Sequence, residues 1–81
     1  MLDDLKNNSK TVGLKQTVRA LEADEVRVVY VASDADQSLT AKIIALSNDK
    51  KIEICSVESM KILGRKCGID VGTAVAAILK D

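Results

Sequence analysis

The feature that most narrows the fold is the short run Val26–Ala32, Val-Arg-Val-Val-Tyr-Val-Ala, with helical spacing on either side of it. The run is β-branched and almost continuously apolar, which suits a central strand covered on both faces. Before it, Leu14, Val18 and Leu21 fall at i, i+4 and i+7, one face of a helix over residues 14–24. Ala20 and Ala23 add helix propensity there. After it comes a polar loop at 33–37, and Ser38 is placed to cap a second helix with Leu39, Ile43 and Leu46 inward, ending near Asn48 and Asp49. A strand needing cover on two faces, between helices able to supply it, predicts an α/β chain.

The rest of the chain extends that pattern. Lys10, Thr11 and Val12 read as a short extended piece leading to Gly13, and residues 1–8 as a frayed end or a short helical lead-in. Ile52-Glu53-Ile54-Cys55-Ser56-Val57 alternates as a strand does. Ser59 caps a third helix through Met60, Ile62 and Leu63, with Gly68 as its stop. Val75-Ala76-Ala77-Ile78-Leu79 is the last strand. The expectation is a three-layer α/β/α sandwich around a four-stranded mixed, largely parallel sheet. With 81 residues and no repeat, low-complexity segment or linker, residues 1–81 read as a single domain.

Composition removes several functions. There is no histidine, so the commonest general base is missing and no Ser-His or Cys-His pair can form. Cys55 and Cys67 make neither a zinc cluster nor a C-x-x-C redox pair, and read as small buried hydrophobes. No enzyme, cofactor or metal site is expected. No run approaches the ~18 apolar residues of a membrane span, and the N-terminus lacks a signal-peptide core, so a cytoplasmic protein is expected; a monomer is the expected state, though nothing in the sequence fixes it. With no Phe or Trp and one Tyr, aromatic stacking platforms for nucleic acid cannot be built. A net charge of zero also opposes nucleic-acid binding, unless the cations are segregated on one side.

Two places offer such segregation. At about 100° per residue, Lys15, Gln16 and Arg19 lie within a quarter-turn of the first helix, away from its apolar stripe. Gly13 just before them allows close approach of a foreign backbone, and a helix start attracts phosphate. These side chains are donors suited to guanine O6 and N7 edges; the same spacing also fits a solvated helix face after a glycine turn. On the third helix Lys61 and Arg65 repeat the i, i+4 pairing with Lys66 alongside, and with Lys10 they are candidate phosphate contacts. Asp34 and Asp36 end the central strand, where α/β proteins place ligands. They fit metal binding, acceptance from base amino groups, or turn and capping roles. The stretch Leu63-Gly64-Arg65-Lys66-Cys67-Gly68 lacks Walker spacing and is no phosphate loop.

These residues resemble a known family. Gly13-Leu14-Lys15-Gln16-Thr17-Val18-Arg19 is similar to the G-x-N-E-x-T-K signature of the kink-turn-binding ribosomal protein family, the L-seven-Ae and L-thirty-e superfamily. Val31-Ala32-Ser33-Asp34-Ala35-Asp36 resembles its A-x-D-x-D/E-P strand end. Val57-Glu58-Ser59-Met60 followed by Leu63-Gly64-Arg65-Lys66-Cys67-Gly68 resembles V-x-S-K…L-G-x-x-C-G. The short length is most similar to bacterial, ribosome-associated members.

The resemblance implies the same sandwich and binding to kink-turns, bent RNA elements with tandem sheared G·A pairs. It implies that Lys15, Gln16 and Arg19 read the pairs and that Gly13 admits the RNA backbone. Asp36 would lie near the flipped-out nucleotide, cradled by Val57, Glu58, Ser59 and Met60. Lys15 and Gln16 depart from the commoner Asn and Glu but keep donors. Glu58 and Met60 replace residues that are basic in relatives, and Gln37 replaces a proline. The implied partner is ribosomal RNA or a structured mRNA leader. The alternative is a protein-interaction adaptor on the same fold, which the neutral charge favours.

Overall fold

A computed structural model describes residues 9–80; the expected frayed or helical lead-in at 1–8 lies outside these described residues. The elements are β1 (Lys10–Val12), α1 (Leu14–Glu22), β2 (Val26–Ala32), α2 (Gln37–Asp49), β3 (Glu53–Val57), α3 (Met60–Cys67) and β4 (Val75–Leu79). Strand β2 is interior to a sheet ordered β1-β4-β2-β3, and six of its seven residues are buried. Alternation along the strands divides the core. Val29, Val31, Val75 and Ala77 face α1 and α2, packing with Leu21 and Ile43. Val28, Tyr30, Ala76 and Ile78 face α3, packing with Leu63 and Cys67. Helices therefore cover both faces, giving the three-layer α/β/α sandwich with a mixed sheet.

The sheet is less parallel than expected. Strands β2 and β3 pair parallel, but β4 pairs antiparallel with both β1 and β2. The cause is the loop at 68–74. After α3 the chain doubles back to the start of that helix, where the Thr73 N–H donates to the Met60 carbonyl at 3.1 Å. Strand β4 must then enter the sheet from this end and run opposite to its neighbours. Two glycines allow the return: a Cβ on Gly64 would collide with the Val71 carbonyl oxygen, and one on Gly72 would sit 3.2 Å from the Met60 backbone.

Two helices bury different stripes from those that apolar spacing predicts. In α1 the buried residues are Thr17, Ala20 and Leu21, with Leu14 and Val18 half-buried. Thr17 tolerates burial because its hydroxyl meets that of Thr11 at 2.9 Å. In α2 the buried set is Thr40, Ile43 and Ser47, whereas Leu39, expected inward, is 51% exposed. The Ser47 hydroxyl donates to the Ile43 carbonyl at 2.7 Å, so it can face the core at little cost. The cap of α2 is Asp36, not Ser38: its Oδ1 accepts the Ser38 N–H at 2.9 Å and the Ser38 hydroxyl at 2.8 Å. Helix α3 is closed as expected, by Ser59 Oγ accepting from the Ile62 N–H at 3.1 Å and by left-handed Gly68 at φ 82°. Cys67 is buried and Cys55 half-buried, and burial pushes both thiols up.

Candidate nucleic-acid interface

Strands β1, β2 and β3 end, and β4 begins, at one edge of the sheet. Val12 lies opposite Ala76, Val31 opposite Val75, and Ala32 opposite Val57. A chain of main-chain hydrogen bonds runs along this edge. The Gly13 N–H donates to the Val75 carbonyl at 3.0 Å, Ala32 to Ala74 at 2.9 Å, and Ser33 to Val57 at 2.7 Å. Asp34 continues it, its Oδ1 accepting the Met60 N–H at 2.8 Å. The start of α1, the 33–36 loop and the β3–α3 turn are thus fixed relative to one another. From β1 to β3 they span roughly 14 Å, three strand spacings of ~4.8 Å.

At one end of this span, Gly13 precedes α1 with φ 94° and ψ 165°, a conformation nearly restricted to glycine, and provides no side-chain cap. Lys15, Gln16 and Arg19 follow, all exposed. In the middle, Asp36 is exposed, and the Ser38 N–H and hydroxyl hold its carboxyl below the usual carboxylate range. At the other end, Glu58 is exposed and Ser59 and Met60 are half-buried. Val57 is only 3% exposed and belongs to the core, so at this edge it offers backbone rather than side chain. Lys61 lies in the first turn of α3, but Arg65 lies in its last turn, away from the edge. Lys10 lies at the far end of β1, where its charge acts on the buried Cys67 thiol at the end of α3. The helix starts share an edge, but the α1 and α3 cations occupy opposite faces of the sheet.

The sequence reading missed two features. Asp34 fastens the start of α3 to the end of β2 across a sequence gap that no local pattern reveals. Val71, 70% exposed, rides on the loop that returns to Met60, whose other apolar residues, Ile69 and Ala74, pack against the core. Among the described residues no group of three or more Cys, Asp or Glu side chains could hold a metal ion. No described helix is long and apolar enough to cross a membrane.

Comparison with known proteins gives a consistent set. A family model described as the ribosomal protein L7Ae/L30e/S12e/Gadd45 family matches residues 3–81. The chain is similar to an RNA-binding protein of Bacillus pumilus, 50% identical over 68 residues, 84% of this chain and 83% of that one. It is also similar to the RNA-binding protein YbxF of Geobacillus stearothermophilus, 45% identical over 69 residues, 85% of this chain and 84% of that one. Among solved structures, the Giardia lamblia 15.5 kD RNA-binding protein superposes with a TM-score of 0.91 at 25% identity, covering 99% of this chain and 71% of the other.

Proposed function

We propose that this chain, which belongs to the ribosomal protein L7Ae/L30e/S12e/Gadd45 family, is a non-enzymatic RNA-binding protein that recognises kink-turns. One observation carries the reading. The exposed Lys15, Gln16 and Arg19, behind an uncapped glycine tip, share a rigid sheet edge with Asp36 and the Glu58–Ser59 turn. Such an edge meets two parts of one folded RNA at once, so a straight duplex and a bent one are not equivalent ligands.

In this reading the α1 tip faces the G·A pairs. Gln16 and Arg19 donate to purine edges, Lys15 and the α1 start meet phosphate, and Gly13 leaves room for the backbone. Asp36 and the turn at 58–60 hold the nucleotide expelled from the kink, with Lys61 next to it. Lys10 and Arg65 fall outside this set. The protein acts as a cytoplasmic monomer on ribosomal RNA or a structured mRNA leader, trapping the bent form. RNA-binding names among relatives 45–50% identical to this chain support the ligand class.

A gel shift with a kink-turn RNA and with a twin whose G·A pairs are replaced tests the proposal. The protein should bind the first and lose most affinity for the second. Arg19→Ala or Gln16→Ala should each cost about 1–3 kcal/mol on the intact kink. Equal binding to both RNAs rules out kink recognition. Binding to neither favours the protein-adaptor alternative.

A further inference from the structure

A groove opens between α1 and α2, the two helices that share a face of the sheet and both start from the site edge. Apolar Leu14, Val18 and Leu39 line it, together with Lys15, Arg19 and Lys42; Glu22 is the one acid in the lining. All three cations are exposed, and among the described residues none of them forms an ion pair. In a chain of zero net charge, three cations against one acid is a local surplus, and two of the three already belong to the α1 tip. Leu39 is there because α2 turns its hydroxyls inward, leaving this side chain half in water.

The geometry points to this groove as the seat of a second stretch of the same RNA's sugar–phosphate backbone, with Lys42 on a phosphate outside the G·A pairs. The inference rests on the kink-turn reading above and extends it to a further contact. Packed helix axes lie ~8–10 Å apart, and a nucleic-acid strand presents a charge about every 3.4 Å of its axis. Cations on the two walls therefore meet phosphates roughly two or three steps apart on one strand crossing the groove. The apolar lining suits the unpolar face of a ribose, and Leu39 supplies it without a charge of its own. A wholly apolar partner helix would instead strand three cations against its surface. Charge complementarity and continuity with the α1 tip both favour RNA.

A salt titration separates this contact from base reading. Affinity of the full chain for a kink-turn RNA is measured between roughly 50 and 200 mM salt for the unaltered protein, Lys42→Ala and Lys80→Ala. Lys80 follows the end of β4, where its N–H donates to the Glu25 carbonyl, away from the site edge. Lys42→Ala should reduce the slope of log affinity against log salt by about one and weaken binding about 3–5-fold at ~0.1 M salt. Lys42→Glu should weaken it further, and Lys80→Ala should leave the slope unchanged. An unchanged slope for Lys42→Ala, with the unaltered protein still preferring the kinked RNA, overturns the groove contact alone. Equal losses for Lys42→Ala and Lys80→Ala assign the effect to net charge and also overturn it. Failure of the unaltered protein to prefer kinked RNA overturns both readings.

Discussion

Helices α1 and α3 start at the same edge of the same sheet, yet their starts are built in opposite ways. That of α3 is closed: Ser59 Oγ takes the Ile62 N–H, Asp34 takes the Met60 N–H, and Thr73 donates to the Met60 carbonyl. That of α1 has a glycine where a capping side chain would stand, followed by exposed donors. With glycine in place of a capping side chain the loss is only about a few tenths of a kcal/mol, so leaving the start of α1 open costs the fold little. The open start is the one we assign to the G·A pairs; the closed one holds in place the 58–60 turn that we assign to the expelled nucleotide.

Glycine substitutions probe this difference most strongly. Behind the closed start, midway along α3, the obstacle is space. Gly64→Ala drives a methyl into the Val71 carbonyl and pushes the returning loop off α3. We expect a loss of about 3 kcal/mol in urea denaturation, because the partner is backbone and cannot swing aside. At the open start the obstacle is conformation alone. A Cβ on Gly13 meets nothing within 4 Å, but φ 94° strains any other residue. Gly13→Ala should cost about 1–2 kcal/mol and additionally weaken RNA binding. Should the two variants prove equally stable, the distinction between crowded and strained glycines fails.

Ser59→Ala sharpens the contrast at smaller scale. It should lower stability by about 1 kcal/mol while changing RNA affinity less than about threefold, since the hydroxyl is already committed to Ile62. A larger affinity loss would show that the hydroxyl itself, and not only the turn it holds, meets the RNA.

The same contrast explains what could be read from the sequence. Strand β2, both of its flanking helices, β4 and the closure of α3 by Ser59 and Gly68 were legible, because each rests on neighbours a few positions apart. The placement of β4 between β1 and β2 was not, because it depends on Gly64 and Gly72 letting the 68–74 loop fold back along the helix just before it. The rotation of α2 that exposes Leu39 was hidden because apolar spacing favours Leu39 over Thr40, and only the burial of Thr40 with Ile43 and Ser47 tips the balance. For the site, the α1 residues were legible as a cluster on one helix. Its frame was not: Asp34 acts on Met60 across 26 positions, and the burial of Val57 follows from tertiary packing.

The smallest expected effect concerns acid stability, and it compares the site edge with the opposite end of the sheet. At the edge, hydrogen bonds from Ser38 hold the Asp36 carboxyl below its ordinary range; at the other end, Lys50 does the same for Asp24 through a 2.6 Å ion pair. Both carboxyls lose protons more readily in the folded chain, so each stabilises the fold above its ordinary pKa of ~3.9. That stabilisation disappears as pH falls through the depressed folded value. Asp36→Asn keeps a capping oxygen but removes the titration, so its urea midpoint should fall less steeply below about pH 4 than that of the unaltered protein. Asp24→Asn should flatten the same limb, but only at low ionic strength, because an exposed ion pair is screened by salt and a cap's hydrogen bonds to a main-chain N–H and a hydroxyl far less so. If the two variants respond alike to salt, Asp36 is not acting as a cap, and the middle of the proposed interface loses the contact that holds its acidic side chain in place.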